Sequence, residues 1–170
     1  MRTLLFLSLL FIHFASFAQV SVEVSFPSSE KTLDGRLLLL ISNNNKNEPR
    51  MQINEGHDTQ MVFGLDLDNH AAAKSMLINS TNSLGFPIQS LADVPSGDYY
   101  VQVLLHKYEI FKRKDGHVVK LPMDRGEGQQ WNLAPGNIYS KPIKITINQK
   151  VKSLVKVVLN QTIPPIEEPK

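Results

Sequence analysis

Hydrophobic and polar residues alternate with a period of two along much of the chain. Near the N-terminus Val20, Val22, Val24 and Phe26 are separated by serines and a glutamate, and Pro27 ends the run. Because successive side chains of a strand point to opposite faces, this alternation predicts a half-buried β-strand. Alternating or β-branched and aromatic residues indicate further strands over residues 61–67, 99–105, 143–147 and 155–159.

Residues 37–41 break this rule, because they form a continuous run of five apolar residues. At that length, a strand buried on both faces is favoured over a helix. Asp115-Gly116, between residues 108–114 and 117–121, is a strong short-range signal for a β-hairpin. Only residues 71–77 could form a turn or two of helix. The patterns predict an all-β fold, an antiparallel immunoglobulin-like or transthyretin-like β-sandwich of about seven strands.

The first 18 residues have the pattern of a secretory signal peptide. Arg2 precedes an apolar stretch over residues 4–17, and Ala18 is a small residue of the kind that signal peptidase reads. The apolar stretch is shorter than the roughly 20 residues of a transmembrane helix, so an uncleaved anchor is the less favoured alternative. We expect cleavage before Gln19 and an exported protein, periplasmic or extracellular, with no stable membrane insertion afterwards.

Two segments follow the predicted signal peptide. Residues 19–160 form the predicted β-sandwich domain, which is long enough to bury a core without disulfides. Residues 161–170 contain three prolines and are predicted to be an extended linker or tail that cannot join a central strand.

Composition and motifs exclude several kinds of chemistry. The formal net charge is only +2, and no basic run is longer than residues 112–114, so we expect no nucleic-acid partner. The absence of cysteine excludes thiolate zinc sites and cysteine nucleophiles. No Gly-x-Ser-x-Gly elbow is present, and the closest approach to a metal site, residues 66–70, is interpreted as a structural loop. We predict no catalytic residue, no metal and no cofactor in this chain.

The densest polar stretch, residues 121–132, contains the only tryptophan and two glycines. A loop of this composition is either ordered by its own hydrogen bonds or a contact surface. The candidate partner-contact residues are Asp124, Arg125, Glu127, Gln129, Trp131 and Asn132. Within this loop, Arg125 is expected to pair with Asp124 or Glu127.

The aromatic residues leave two interpretations open. Trp131 with Tyr99, Tyr100 and Tyr139 could form a platform on which sugar rings stack, but aromatic residues of a sandwich lie more often in its core. A free-standing glycan- or cell-wall-binding sandwich is therefore the alternative function, with glycan as the alternative partner.

Residues 91–102, 119–132 and 135–142, with Asp115-Gly116-His117, resemble the N-terminal region of secreted bacterial esterases of the α/β-hydrolase family. The resemblance extends over about residues 37–169. It implies a non-catalytic sandwich module that leads, through residues 163–166, into an α/β-hydrolase domain carrying the catalytic serine. The sequence ends at Lys170 before any such domain, so no catalytic residue is carried over. The resemblance implies an α/β-hydrolase (esterase) domain as the partner, in cis or in trans.

Overall fold

The computed structural model describes residues 20–27, 29–54, 56 and 59–167. The predicted signal peptide and its cleavage site lie outside these residues. The described part contains two short 3-10 turns, Pro49–Met51 and Leu91–Asp93, and no helix long and apolar enough to cross a membrane. Its strands are β1 (Val20–Ser25), β2 (Thr32–Ser42), β3 (Met61–Ala71), β4 (Met76–Ile78), β5 (Leu84–Phe86), β6 (Gly97–Lys107), β7 (Glu109–Lys112), β8 (Val118–Leu121), β9 (Ile138–Tyr139), β10 (Ile143–Ile147), β11 (Ser153–Val158) and β12 (Gln161–Thr162).

The strands form an all-β sandwich, as the sequence predicted. The large sheet has the order β12-β9-β6-β2-β3-β5, and β10 pairs with β6 next to β9. The small sheet has the order β11-β1-β4, and β7 pairs with β8 in a separate hairpin. All pairs are antiparallel except β1 and β11, which are parallel. The sequence missed β4, β5, β9 and β12, because strands of two or three residues are too short to show a period of two.

The main core lies between the two sheets. Val22 and Val24 of β1 pack with Leu37 and Leu39 of β2 and with the alternate residues of β6, and all of these side chains are buried. Burial of each such side chain stabilises the fold by roughly 1.5–3 kcal/mol. The half-buried strand predicted for residues 20–26 is thus confirmed.

The large sheet is also covered on its other side, which we call the outer face. Leu38 and Leu40 of β2 form a second cluster there with Leu104 and Ile163. Since Leu37, Leu39 and Ile41 lie in the main core, the prediction that residues 37–41 are buried on both faces is confirmed.

The chain after residue 160 is still part of the domain. β12 pairs with β9 at the edge of the large sheet. The Ile163 amide donates to the Asn137 carbonyl (2.9 Å), and the Gly136 amide donates to the Ile163 carbonyl (2.9 Å). The domain therefore continues to Ile163, three residues beyond the predicted boundary. Within the described part of the proline-rich segment, β12 is the edge strand of the large sheet.

Residues 71–77, the one place where the sequence allowed a turn or two of helix, contain no helix. The Lys74 amide donates to the Ala71 carbonyl in a single turn (2.9 Å), and β4 begins at Met76. Because β3 belongs to the large sheet and β4 to the small one, these few residues must cross between sheets and have no room for a helix.

The predicted hairpin is confirmed. The Gly116 amide donates to the Arg113 carbonyl (3.0 Å), and Gly116 has a φ of 85°, which glycine adopts without strain. Lys120 of β8 fastens the hairpin to the large sheet, because its ammonium group pairs with Asp34 (2.6 Å) and with Asp68.

Tyr99 ties the beginning of β6 to the preceding segment. The side chain is buried, and its hydroxyl donates to the Pro95 carbonyl (3.0 Å). This arrangement matches the tyrosine corner of Greek-key sandwiches. We expect Tyr99→Phe to lower the free energy of unfolding by about 1 kcal/mol, because the carbonyl loses its donor.

Urea denaturation measures this difference, and Tyr100→Phe is the matched control. The Tyr100 hydroxyl makes no hydrogen bond with the described residues, so that variant should stay within about 0.5 kcal/mol of the wild type. Equal effects of the two variants would contradict a structural role for the Tyr99 hydroxyl.

Candidate functional site

The outer face of the large sheet carries the functional candidates. Tyr100, Gln102, Leu104 and His106 of β6 point to this face, because the intervening residues lie in the main core. Residues 122–137 cross the same face, and Trp131 packs on the second cluster. We call residues 124–132 the contact loop.

Internal hydrogen bonds order the contact loop. An Asp124 carboxylate oxygen accepts the Gly126 amide (2.9 Å). Glu127 is buried, and its carboxylate accepts the Arg125 amide (2.7 Å). Gln129 is exposed and has a φ of 63°, a left-handed conformation that few residues other than glycine adopt. The loop is therefore ordered by its own hydrogen bonds, which was the first of the two interpretations. Its exposed side chains can still contact a partner.

The expected pairing of Arg125 with Asp124 or Glu127 is wrong. Both carboxylates accept backbone amides of the loop, and the Arg125 guanidinium pairs instead with Glu109 of β7. The ion pair thus joins the contact loop to the β7–β8 hairpin rather than closing the loop on itself.

A buried asparagine anchors the end of the contact loop. Asn137 donates from its side chain to the Trp131 carbonyl (2.8 Å) and accepts the Lys107 amide (3.0 Å). The Asn132 carbonyl in turn accepts a guanidinium N–H of Arg50 (2.6 Å). Sequence reasoning missed Asn137 and Arg50, because their partners lie 30 and 82 residues away in the chain.

Gln102 is the centre of a second polar network. Its fully buried amide accepts the Arg50 backbone N–H (2.9 Å) and donates to the Ser140 carbonyl (2.9 Å) and to Glu48 (3.1 Å). Partial burial alone would raise the pKa of Glu48, but hydrogen bonds from Gln102 and the Arg50 side chain outweigh it and lower the pKa. The Arg50 guanidinium also lies over the Tyr139 ring, 4.5 Å from its centroid. Glu48 is therefore a fixed, ionised carboxylate.

A cleft of about 160 Å³ opens where β6 ends, between the hairpin and the contact loop. His106 and Tyr108 line it, with their rings edge to face at 5.6 Å, and the pair Arg125–Glu109 lies at its wall. Burial lowers the pKa of His106, and the negative charge of Glu127 partly offsets this. None of the described lining residues is a serine or threonine that the imidazole could activate as a nucleophile.

The acidic segment at residues 66–70 is occupied by internal contacts. Asp66 pairs with Arg36 (3.1 Å), Asp68 pairs with Lys120, and the His70 ring contacts the Lys74 carbonyl (2.8 Å). Within the ranges that the structure describes, no three acidic or histidine side chains converge as a metal site would require.

The four aromatic residues do not form one platform. Tyr99 is in the main core, Tyr139 is covered by Arg50, and Trp131 packs on the second cluster. Only Tyr100, on the outer face, lines an open groove. Of the two interpretations left open, the four-residue platform is therefore excluded, and a packing role applies to Tyr99, Tyr139 and Trp131.

An apolar patch borders the contact loop at the edge of the large sheet. Leu84 and Phe86 of β5 are 71% and 69% exposed, because Gly85 between them turns inward against the Phe63 ring, where a Cβ would lie only 2.4 Å away. Phe86 is opposite Val62, which packs on the second cluster together with Trp131. The patch therefore continues the surface that Trp131 covers.

Searches of protein-family models, curated proteins and solved structures found no match to this chain.

The electrostatic contact between Glu127 and His106 can be tested directly. We expect Glu127→Gln to lower the pKa of His106 further, because the negative charge that favours the protonated imidazole is removed while an oxygen remains to accept the Arg125 amide. An NMR titration of the imidazole resonances measures this.

Glu109→Gln is the matched control. The Glu109 carboxylate pairs with Arg125 and is not among the groups that shift the pKa of His106. A His106 pKa that rises or stays constant in Glu127→Gln would contradict the described geometry.

Proposed function

We propose that this chain is an exported accessory module that performs no chemistry itself and docks on an esterase-type α/β-hydrolase domain, in cis or in trans. The observation that carries the proposal is the apolar patch of Leu84 and Phe86 beside the ordered contact loop. Exposed neighbouring apolar side chains with a polar border are typical of protein–protein contact sites.

The components of this surface suit docking. Met51 is 44% exposed beside the contact loop, where its sulfur lies 3.7 Å from the Asn132 amide nitrogen. Because hydrogen bonds already fix the loop, a partner would order few additional residues on binding, which reduces the entropy cost. Arg125, Gln129 and Asn132 would form the polar border.

The C-terminal segment lies against the contact loop. Ile163 is fixed in the second cluster, and the Ile166 side chain lies 3.3 Å from the position of a Cβ on Gly126. The segment thus passes directly over the contact loop. A hydrolase domain joined to it in cis would begin near the contact loop, in keeping with the resemblance to secreted esterases.

The described lining of the His106 cleft contains no serine or threonine, the nucleophiles that esterases of the α/β-hydrolase type use with a histidine, in keeping with a non-catalytic role. The resemblance implies that hydrolysis belongs to the partner domain. The module would then position or stabilise that domain, or present substrate to it.

Site-specific photo-crosslinking in the producing cells tests the proposal. We expect a photoreactive phenylalanine analogue at Phe86 to give cross-linked peptides that mass spectrometry assigns to an α/β-hydrolase domain, because Phe86 lies in the patch. The matched control places the same analogue at Leu154, which is 56% exposed on the small sheet.

Hydrolase peptides from position 86 and none from position 154 would support docking on the outer face. Cross-links from position 86 that contain no hydrolase peptides, or hydrolase peptides recovered equally from both positions, would contradict it.

A further inference from the structure

A groove of about 380 Å³ lies on the outer face at the start of β6. It is within the usual size range of ligand pockets, roughly 300–1,000 Å³. Two prolines form part of its wall, and its aromatic and polar lining residues are Tyr100, Glu48, Asn45, Asn47 and Lys144. The mixture of one aromatic ring, apolar walls and several polar groups distinguishes it from the charged cleft at His106.

Tyr100 supplies a ring at the wall of this groove. Lys144 is its cross-strand neighbour on β10, and the Lys144 ammonium is directed to Asp98 (3.1 Å). The hydroxyl of Thr146 donates to the same aspartate (2.7 Å). The positive charge of Lys144 is therefore paired with the negative charge of Asp98, beside the Tyr100 ring.

Glu48 supplies a fixed acceptor in the lining of the same groove. One carboxylate oxygen, Oε2, accepts both from Arg50 (2.9 Å) and from Gln102 (3.1 Å). The other oxygen has no hydrogen-bond partner in the part of the chain that the structure describes. The carboxylate is therefore oriented by a buried side chain and still has a free acceptor, which is the preorganisation that a binding site requires.

The loop that carries the two asparagines is also held in place. The Gln52 side chain donates to the carbonyls of Asn44 (3.2 Å) and Asn47 (2.5 Å) and accepts from the Ser42 hydroxyl (2.6 Å). The side-chain amides of Asn45 and Asn47 make no hydrogen bond to any described residue. Each can both donate and accept, as neighbouring sugar hydroxyls require.

We propose that this groove binds one or two sugar units of a neutral polysaccharide, with a pyranose ring against Tyr100 and hydroxyls on Glu48, Asn45 and Asn47. A neutral ligand fits because both charged groups of the wall already have partners: Glu48 with Arg50, and Lys144 with Asp98. A sugar fits because one face of its ring is apolar while its edge carries hydroxyls. The inference goes beyond the accessory role and does not depend on a docked hydrolase.

Native affinity electrophoresis of the exported protein in gels containing xylan, galactomannan or mixed-linkage β-glucan tests the proposal. We expect at least one of these polysaccharides to retard the wild type. Tyr100→Ala should weaken binding about tenfold, because the stacking surface is lost. Tyr100→Phe, which keeps the ring, should stay within about threefold of the wild type.

Two further variants complete the test. Tyr108→Ala removes a tyrosine of the His106 cleft and should leave retardation unchanged. The double variant Asn45→Ala and Asn47→Ala removes only loop amides, so it tests the groove even if Tyr100→Ala fails to fold in thermal circular dichroism. The proposal is overturned if none of the three polysaccharides retards the wild type, or if the double variant and folded Tyr100→Ala bind like the wild type.

Discussion

Burial of β2 on both faces is the constraint on which the rest of the structure depends. One face of β2 packs against the small sheet and carries Leu37, Leu39 and Ile41. The other face carries Leu38 and Leu40, which need a second cover on the outer face. The third sheet, the β7–β8 hairpin, contributes no described residue to the second cluster. The contact loop and the C-terminal segment do so instead, through Trp131 and Ile163. The long polar loop and the proline-rich end of the chain are therefore parts of the fold.

Covering a sheet with loops buries backbone and side-chain polar groups, and most such groups in folded proteins are hydrogen-bonded. Gln102 meets this requirement at the centre of the outer face by bonding to the Arg50 amide, the Ser140 carbonyl and Glu48. Asn137 does the same at the end of the contact loop. An unpaired buried amide would cost about 1–3 kcal/mol, so these two residues set the positions of the segments that they join.

The sequence predicted what depends on short-range pattern and missed what depends on tertiary partners. The alternation of residues 20–26, the apolar run at 37–41 and the Asp115-Gly116 turn each determine their own local structure, and all three predictions are confirmed. The polar loop was identified from composition alone. The ion pair between Arg125 of this loop and Glu109 could not be predicted, because Asp124 and Glu127 are nearer in sequence. Only the structure shows that the carboxylates of these two residues accept backbone amides of the loop instead.

The two proposed sites on the outer face share one structural element. Glu48 faces the groove, and Met51, three residues later, contacts Asn132 of the contact loop. Between them Arg50 bonds to Gln102 through its backbone and to the Asn132 carbonyl through its side chain. A sugar bound at Glu48 and a protein domain docked at Met51 would thus contact opposite ends of one short, rigid turn. Both proposed contacts would lie on the outer face of the module, joined by the network that Arg50 makes.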